Sequence, residues 1–168
     1  MSEKVSINFQ IDYSSTCPQS AALSHEVIMK NLKSQTWATV QQLVNYIEEQ
    51  WLMATPHAQR STLDLQVAWP FEAFDSSIVF LDFVGDFIAQ IETVLGTPTQ
   101  GVVKRADEQE FAILNAKNLM FCEDAARKVK SFLKSQKKIK SYYGRVTHIE
   151  SLHSHDAVAE FSSSGKTV

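Results

Sequence analysis

The segment "KVSINFQIDY" (residues 4–13) decides how the fold begins, because apolar and polar side chains alternate along it. A period of two predicts a β-strand with one face in the core and the other in solvent. A second segment of the same kind, "STLDLQVAWP" (residues 61–70), predicts another strand that stops at Pro70.

Helical patterns occupy most of the remaining sequence. Residues 20–54 predict two helices, the second of them capped by Ser34 or Thr36. Residues 76–95 carry apolar side chains around most of the helical circumference, which predicts the central and most buried helix. From about residue 106, a long helical pattern runs towards Lys138, with a kink expected near 115–118. Ile113, Leu119 and Met120 fall off its apolar face, so the first half either contacts the core on two sides or is not part of one continuous helix.

Two shorter β-like segments follow, "YYGRVTHI" (142–149) and "AVAEF" (157–161). Strands and helices do not alternate regularly enough for a doubly wound sheet. We therefore predict an α+β fold: a helix-rich single domain of about four helices with a small antiparallel or mixed sheet. The domain is expected to comprise residues 1–161, followed by a flexible C-terminal tail at 162–168.

Charge is unevenly distributed along the chain. The sequence has 16 Lys and Arg residues, 19 Asp and Glu residues and a net charge of −3. Residues 125–149 contain eight of the basic residues and no acidic one, so the remainder holds eight basic and nineteen acidic residues. An acidic body with one basic segment indicates an interaction surface.

The basic segment supplies the predicted binding residues. Its helical part places lysines opposite an apolar stripe, and two tyrosines and an arginine follow directly. A solvated helix face, with cations near the negative end of the helix dipole, is the purely structural alternative. The predicted binding surface consists of Lys130, Lys134, Lys137, Lys138, Lys140, Tyr142, Tyr143 and Arg145.

From this surface we predict a small non-catalytic interaction protein of accessory, inhibitor, immunity or assembly type, which binds a protein partner or a second copy of itself. The alternative is a nucleic-acid-binding protein that uses residues 127–145, although the acidic body would repel phosphates. No membrane partner is expected, because the apolar run at 76–95 contains Asp82, Asp86 and Glu92.

The segment "THIESLHSHD" (147–156) concentrates three histidines, His148, His153 and His155. We interpret it as a polar connection between strands. A metal-dependent or catalytic site is the alternative, because His153 and His155 share a face if the segment is extended.

Other features give no motif for catalysis. Cys17 and Cys122 are far apart and isolated, so we predict that Cys17 is a loop thiol and that Cys122 is a buried apolar thiol. The absence of a disulfide pattern predicts a reducing, cytoplasmic location. The N-terminus lacks the pattern of a secretory signal. The loop "GTPTQGVVK" (96–104) resembles a phosphate-binding loop but has Val102 in place of the lysine. We therefore predict no catalytic residue, metal or cofactor.

Overall fold

Four antiparallel strands form one sheet in the computed structural model. The structure describes residues 3–50, 53–74 and 77–164; in the last of these ranges, side chains are described from residue 80 onward. Along the sheet the strands lie in chain order, β1-β2-β3-β4. Their bounds are Lys4–Thr16 for β1, Ala58–Pro70 for β2, Ser141–His148 for β3 and Ala157–Ser162 for β4.

Five α-helices accompany the sheet in the described residues: α1 (Pro18–Lys33), α2 (Val40–Glu49), α3 (Ser77–Leu95), α4 (Arg105–Lys117) and α5 (Cys122–Ser135), with a short 3₁₀ turn at Phe71–Ala73. The predicted α+β class is confirmed, with one more helix than expected. Ser162 is the last residue of β4, and residues 165–168 lie outside the described residues. The single domain at 1–161 with a flexible tail at 162–168 stays a prediction.

The first two strands pair over their whole length, from Lys4 opposite Pro70 to Thr16 opposite Ala58. Both predicted strands therefore exist, and both are longer than the alternation alone indicated. Their inward residues form the floor of the core: Phe9, Ile11, Tyr13, Leu63, Leu65, Val67 and Trp69 are all buried. The polar residues between them face the other side of the sheet.

Aromatic rings connect the sheet to α3. The indole of Trp69 lies edge-on to Phe87 at 5.1 Å and to Phe83 at 5.4 Å between ring centroids. Phe87 also contacts Phe9 at 5.3 Å and Phe132 of α5 at 6.0 Å. Such tilted and edge-on geometries stabilise an aromatic cluster beyond the burial of its area.

The prediction that the helix at 76–95 is the most buried one is wrong for the side chains described. Leu81 of α3 is 69 % exposed. The helix α5 packs against β3, β4 and α3, and it buries Cys122, Ala125, Ala126, Val129 and Leu133. Among the described residues, no helix combines the length and apolar character needed to cross a membrane.

The long helical pattern from residue 106 to 138 is two helices, α4 and α5, and the chain breaks at Asn118, within the region where the sequence predicts a kink. The break is caused by side-chain bonds: Asn118 Nδ2 donates to the carbonyl oxygen of Leu95 at 2.6 Å. Beyond it, the amide of Met120 donates to the carbonyl oxygen of Thr16 at 3.1 Å, and Met120 is buried. The chain therefore leaves the helical path to reach the end of β1.

Gly144 of β3 lies directly opposite Phe161 of β4, and a Cβ atom at this glycine would come within 2.2 Å of the Phe161 ring. We expect Gly144→Ala to lower the free energy of unfolding by about 1–3 kcal/mol through overpacking, measured by urea denaturation. Gly85→Ala is the matched control, because a Cβ atom there would meet no neighbouring element within 4 Å and α3 would gain helix propensity. Equal stability of Gly144→Ala and wild type would contradict this packing.

The buried Tyr13 hydroxyl lies 2.8 Å from Nε2 of His148. Burial raises the pKa of Tyr13 and lowers the pKa of His148 to about 4, so both groups are neutral at pH 7. Tyr13→Phe leaves the imidazole without this partner, and we expect it to lower the free energy of unfolding by about 1–3 kcal/mol. Tyr143→Phe, at an exposed position, should change it by less than about 0.5 kcal/mol.

Candidate functional site

One end of the sheet brings together segments that are far apart in sequence. Because neighbouring strands are antiparallel, the last residues of β1 and β3 lie beside the first residues of β2 and β4. Cys17 follows β1, His57 precedes β2, and Glu150 and His153 lie in the loop between β3 and β4. Side chains with a thiol, two imidazoles and a carboxylate therefore converge at this end.

Backbone hydrogen bonds hold Cys17 and His57 next to each other. The amide of Cys17 donates to the carbonyl oxygen of His57 at 3.3 Å. The amide of His57 in turn donates to Oγ of Ser20 at 3.0 Å, in the first turn of α1. Cys17 is the N-cap residue of α1, with Pro18 at the first helical position. The thiol and the imidazole thus belong to the junction of the sheet and α1.

Glu150 is contacted by two side chains from the start of β2 and the residue before it, and by its own loop. Its Oε1 accepts a hydrogen bond from Nε2 of Gln59 at 2.8 Å, and its Oε2 lies 3.8 Å from Nε2 of His57. The amide of Glu150 donates to Oδ1 of Asp156 at 3.0 Å. These contacts orient the carboxylate towards His57.

Cys17, His57 and His153 line one cleft of about 390 Å³, which we call the Cys17 cleft. Its remaining lining is partly apolar and comes from α1, from the segment before β2 and from the 149–156 loop: Gln19, Ser20, Leu23, Ser24, Val27, Ala54 and Leu152. A concave site with a few convergent polar groups and apolar walls is typical of ligand-binding pockets.

The side chains of this site have the chemistry of metal ligands. Thiolate, imidazole and carboxylate groups are the usual ligands of zinc, at about 2.0–2.3 Å from the ion. The buried Nε2 of His57 has no hydrogen-bond partner. Its 3.8 Å separation from Oε2 of Glu150 is within the span of two ligands on one ion. Across the described part of the chain, however, no three His, Cys, Asp or Glu side chains form an assembled metal site.

Residues 149–156 of the histidine-rich segment form the loop that connects β3 and β4, as predicted, whereas Thr147 and His148 belong to β3. His153 lines the Cys17 cleft, whereas His155 stacks on the His153 ring at 5.5 Å between centroids and is not among the lining residues. His148 ends β3 and is buried against Tyr13. The three histidines thus have three different surroundings.

The eight predicted binding residues do not form one surface. Lys130 and Lys134 lie on α5, while Lys137, Lys138 and Lys140 lie in the segment between α5 and β3. Tyr142 is 8 % exposed and belongs to the core, because it points to the inner face of β3. Tyr143 and Arg145 point to the opposite face, where Arg145 lies 4.0 Å from Glu160. A role of these eight residues in binding a protein partner or a second copy stays a prediction.

Sequence reasoning missed Cys17 and His57 as members of a site. Cys17 reads as an ordinary loop thiol, and His57 belongs to no motif because a helical segment separates it from Cys17. The available signal was positional: Cys17 lies just after the first predicted strand (4–13), and His57 lies just before the second (61–70). An antiparallel pairing of those strands would have placed the two residues together.

Comparison with known proteins identifies a family. Residues 2–159 match the family model described as type I GTP cyclohydrolase FolE2. Similar curated proteins named GTP cyclohydrolase FolE2 include one from Hahella chejuensis, 45 % identical over 163 residues. Others come from Acinetobacter baylyi, 45 % identical over 166 residues, and Serratia proteamaculans, 42 % identical over 163 residues.

These alignments cover 94 %, 95 % and 94 % of this chain, respectively, but only 51 %, 53 % and 51 % of the relatives. The chain therefore spans about half the length of the curated relatives it matches.

The family and its relatives are named for an enzyme. The prediction of a non-catalytic interaction protein, with nucleic-acid binding as its alternative, is wrong, and so is the inclination against an enzyme. A charge asymmetry is visible along the sequence, whereas a cleft assembled from distant segments is not.

The two cysteines should differ strongly in reactivity. Cys17 is partly exposed and lines the cleft, whereas Cys122 is 3 % exposed and burial raises the pKa of its thiol to about 12. Because the thiolate is the reactive form, we expect N-ethylmaleimide to label Cys17 at least about tenfold faster at pH 7.5. Mass spectrometry of Cys17→Ser and Cys122→Ser variants measures each rate separately. Equal rates in the folded protein would contradict this assignment.

Proposed function

Because this chain belongs to the type I GTP cyclohydrolase FolE2 family, we propose that it supplies catalytic groups of a GTP cyclohydrolase in the Cys17 cleft. The observation that carries the proposal is the convergence of Cys17, His57, Glu150 and His153 from separate segments at one end of the sheet. A cyclohydrolase must bring water to a ring and move protons to and from the reacting atoms. Imidazole and carboxylate groups perform such proton transfers.

We assign the four side chains as the ligands of a divalent transition-metal ion such as zinc. Their donor types fit this ion, and Nε2 of His57 is buried without a hydrogen-bond partner. When bound, such an ion lowers the pKa of a coordinated water and so supplies a nucleophile at neutral pH.

The rest of the cleft supports these groups. Leu23, Val27 and Leu152 provide apolar walls of an open cleft, and all three side chains are exposed to solvent. Gln59 and Asp156 orient Glu150 through its carboxylate and its backbone. The proposal keeps the cytoplasmic location predicted from the isolated cysteines, both of which are free thiols.

His153→Ala tests the proposal, because it removes one lining imidazole from an exposed loop without opening the core. We expect consumption of GTP, followed by chromatography with zinc present, to fall at least about 100-fold, since loss of an outer-shell partner already costs 10- to 100-fold. Bound zinc, measured by elemental mass spectrometry after desalting, should fall in parallel.

His25→Ala is the matched control, because His25 is an exposed histidine of α1 that does not line the cleft. It should keep activity within about threefold of wild type. Wild-type activity in His153→Ala, or no GTP consumption by the wild-type protein, would overturn the proposed function.

A further inference from the structure

The two amide atoms of Gln59 have very different surroundings. Gln59 is only 9 % exposed, and its Nε2 donates to Oε1 of Glu150 at 2.8 Å. Its Oε1 is buried and has no hydrogen-bond partner. A buried carbonyl without a partner is unfavourable, so this residue requires an explanation other than packing.

The orientation of the amide follows from chemistry. An ionised carboxylate only accepts hydrogen bonds, so the amide nitrogen of Gln59 must face Glu150 and the carbonyl oxygen must face away. An apolar side chain of the same length would avoid the unpartnered oxygen, but it would also remove the donor. The hydrogen bond that Gln59 donates to Glu150 is therefore what a glutamine provides here and an apolar side chain does not.

The strand register explains how the contact arises. Ser61 of β2 pairs with His148 of β3, and the amide of Ile149 donates to the carbonyl oxygen of Arg60 at 3.1 Å. The next position in the same register sets Gln59 opposite Glu150. His57 precedes Gln59 by two residues, and in extended chain such residues point to the same side.

We propose that Gln59 is a positioning residue that holds the Glu150 carboxylate with Oε2 towards His57. By occupying Oε1, the amide leaves one defined oxygen to face Nε2 of His57 at 3.8 Å. This inference rests on the proposed function, because it deepens the role of Glu150, which lies beside His57 of the Cys17 cleft. Partners that orient ligands are a general requirement of metal and catalytic sites.

Gln59→Met and Gln59→Glu test the inference. Methionine keeps the length and removes the donor, whereas glutamate keeps the shape and places a second carboxylate against Glu150. We expect each variant to lower kcat for GTP by about 10- to 100-fold and to weaken zinc binding similarly in competition with a chromophoric chelator. KM should change by less than about threefold, since Gln59 is not placed in contact with substrate.

Stability separates positioning from a merely structural role. The thermal midpoint of Gln59→Met should change little, because removal of the unpartnered buried oxygen offsets the lost hydrogen bond to Glu150. Gln66→Met is the matched control: Gln66 lies on the same strand but is exposed on the opposite face of the sheet. It should retain wild-type kcat and zinc affinity.

Wild-type kcat and zinc affinity in Gln59→Met would overturn the inference, as would an activity loss that is matched by a loss of stability.

A crystal structure of Gln59→Met gives a readout that does not depend on turnover. Rotation of the Glu150 carboxylate away from His57 supports the positioning role, and an unchanged carboxylate overturns it. Absence of GTP turnover in the wild type would overturn the proposed function while leaving this structural readout decisive for Gln59.

Discussion

The antiparallel register between β1 and β2 is the constraint on which both the core and the cleft depend. It sets Phe9 opposite Leu65 on the inner face and Thr16 opposite Ala58 at the end of the ladder. A shift of one residue would turn the inward side chains of a strand to the outer face. The same shift would separate Cys17 from His57. The burial of apolar side chains therefore also fixes the geometry of the polar site.

Several hydrogen bonds, which we call braces, restrain the end of the sheet that carries the cleft. Met120, beyond the break at Asn118, bonds the last residue of β1. The Tyr13–His148 hydrogen bond connects β1 to the end of β3 across β2. Asp156 closes the loop that presents Glu150. Each brace restrains a segment adjacent to a cleft residue, which is how a site on loops acquires defined geometry.

Sequence reasoning succeeded where the signal is local. The alternation in 4–13 and 61–70 identified two strands because side-chain direction in a strand depends only on its period. It failed where the outcome depends on contacts between distant segments. The kink expected near 115–118 is a complete break, which involves a hydrogen bond from Asn118 to Leu95, and the convergence of Cys17, His57 and His153 requires the sheet order. The basic segment (residues 125–149) stands out in the sequence, yet in the fold its residues lie on α5, in the core and on the outer face of the sheet at β3.

The excursion between β1 and β2 leaves the sheet at Cys17 and returns at His57, where a backbone hydrogen bond of 3.3 Å closes its base. None of the residues of α2 within it is buried. Closing a loop costs entropy that grows only logarithmically with length, about 0.6 kcal/mol for each doubling. The α2 segment is therefore a permissive position for insertion or exchange, since it can be shortened, extended or replaced while Cys17 and His57 keep their spacing and Ala54 keeps its place in the cleft lining.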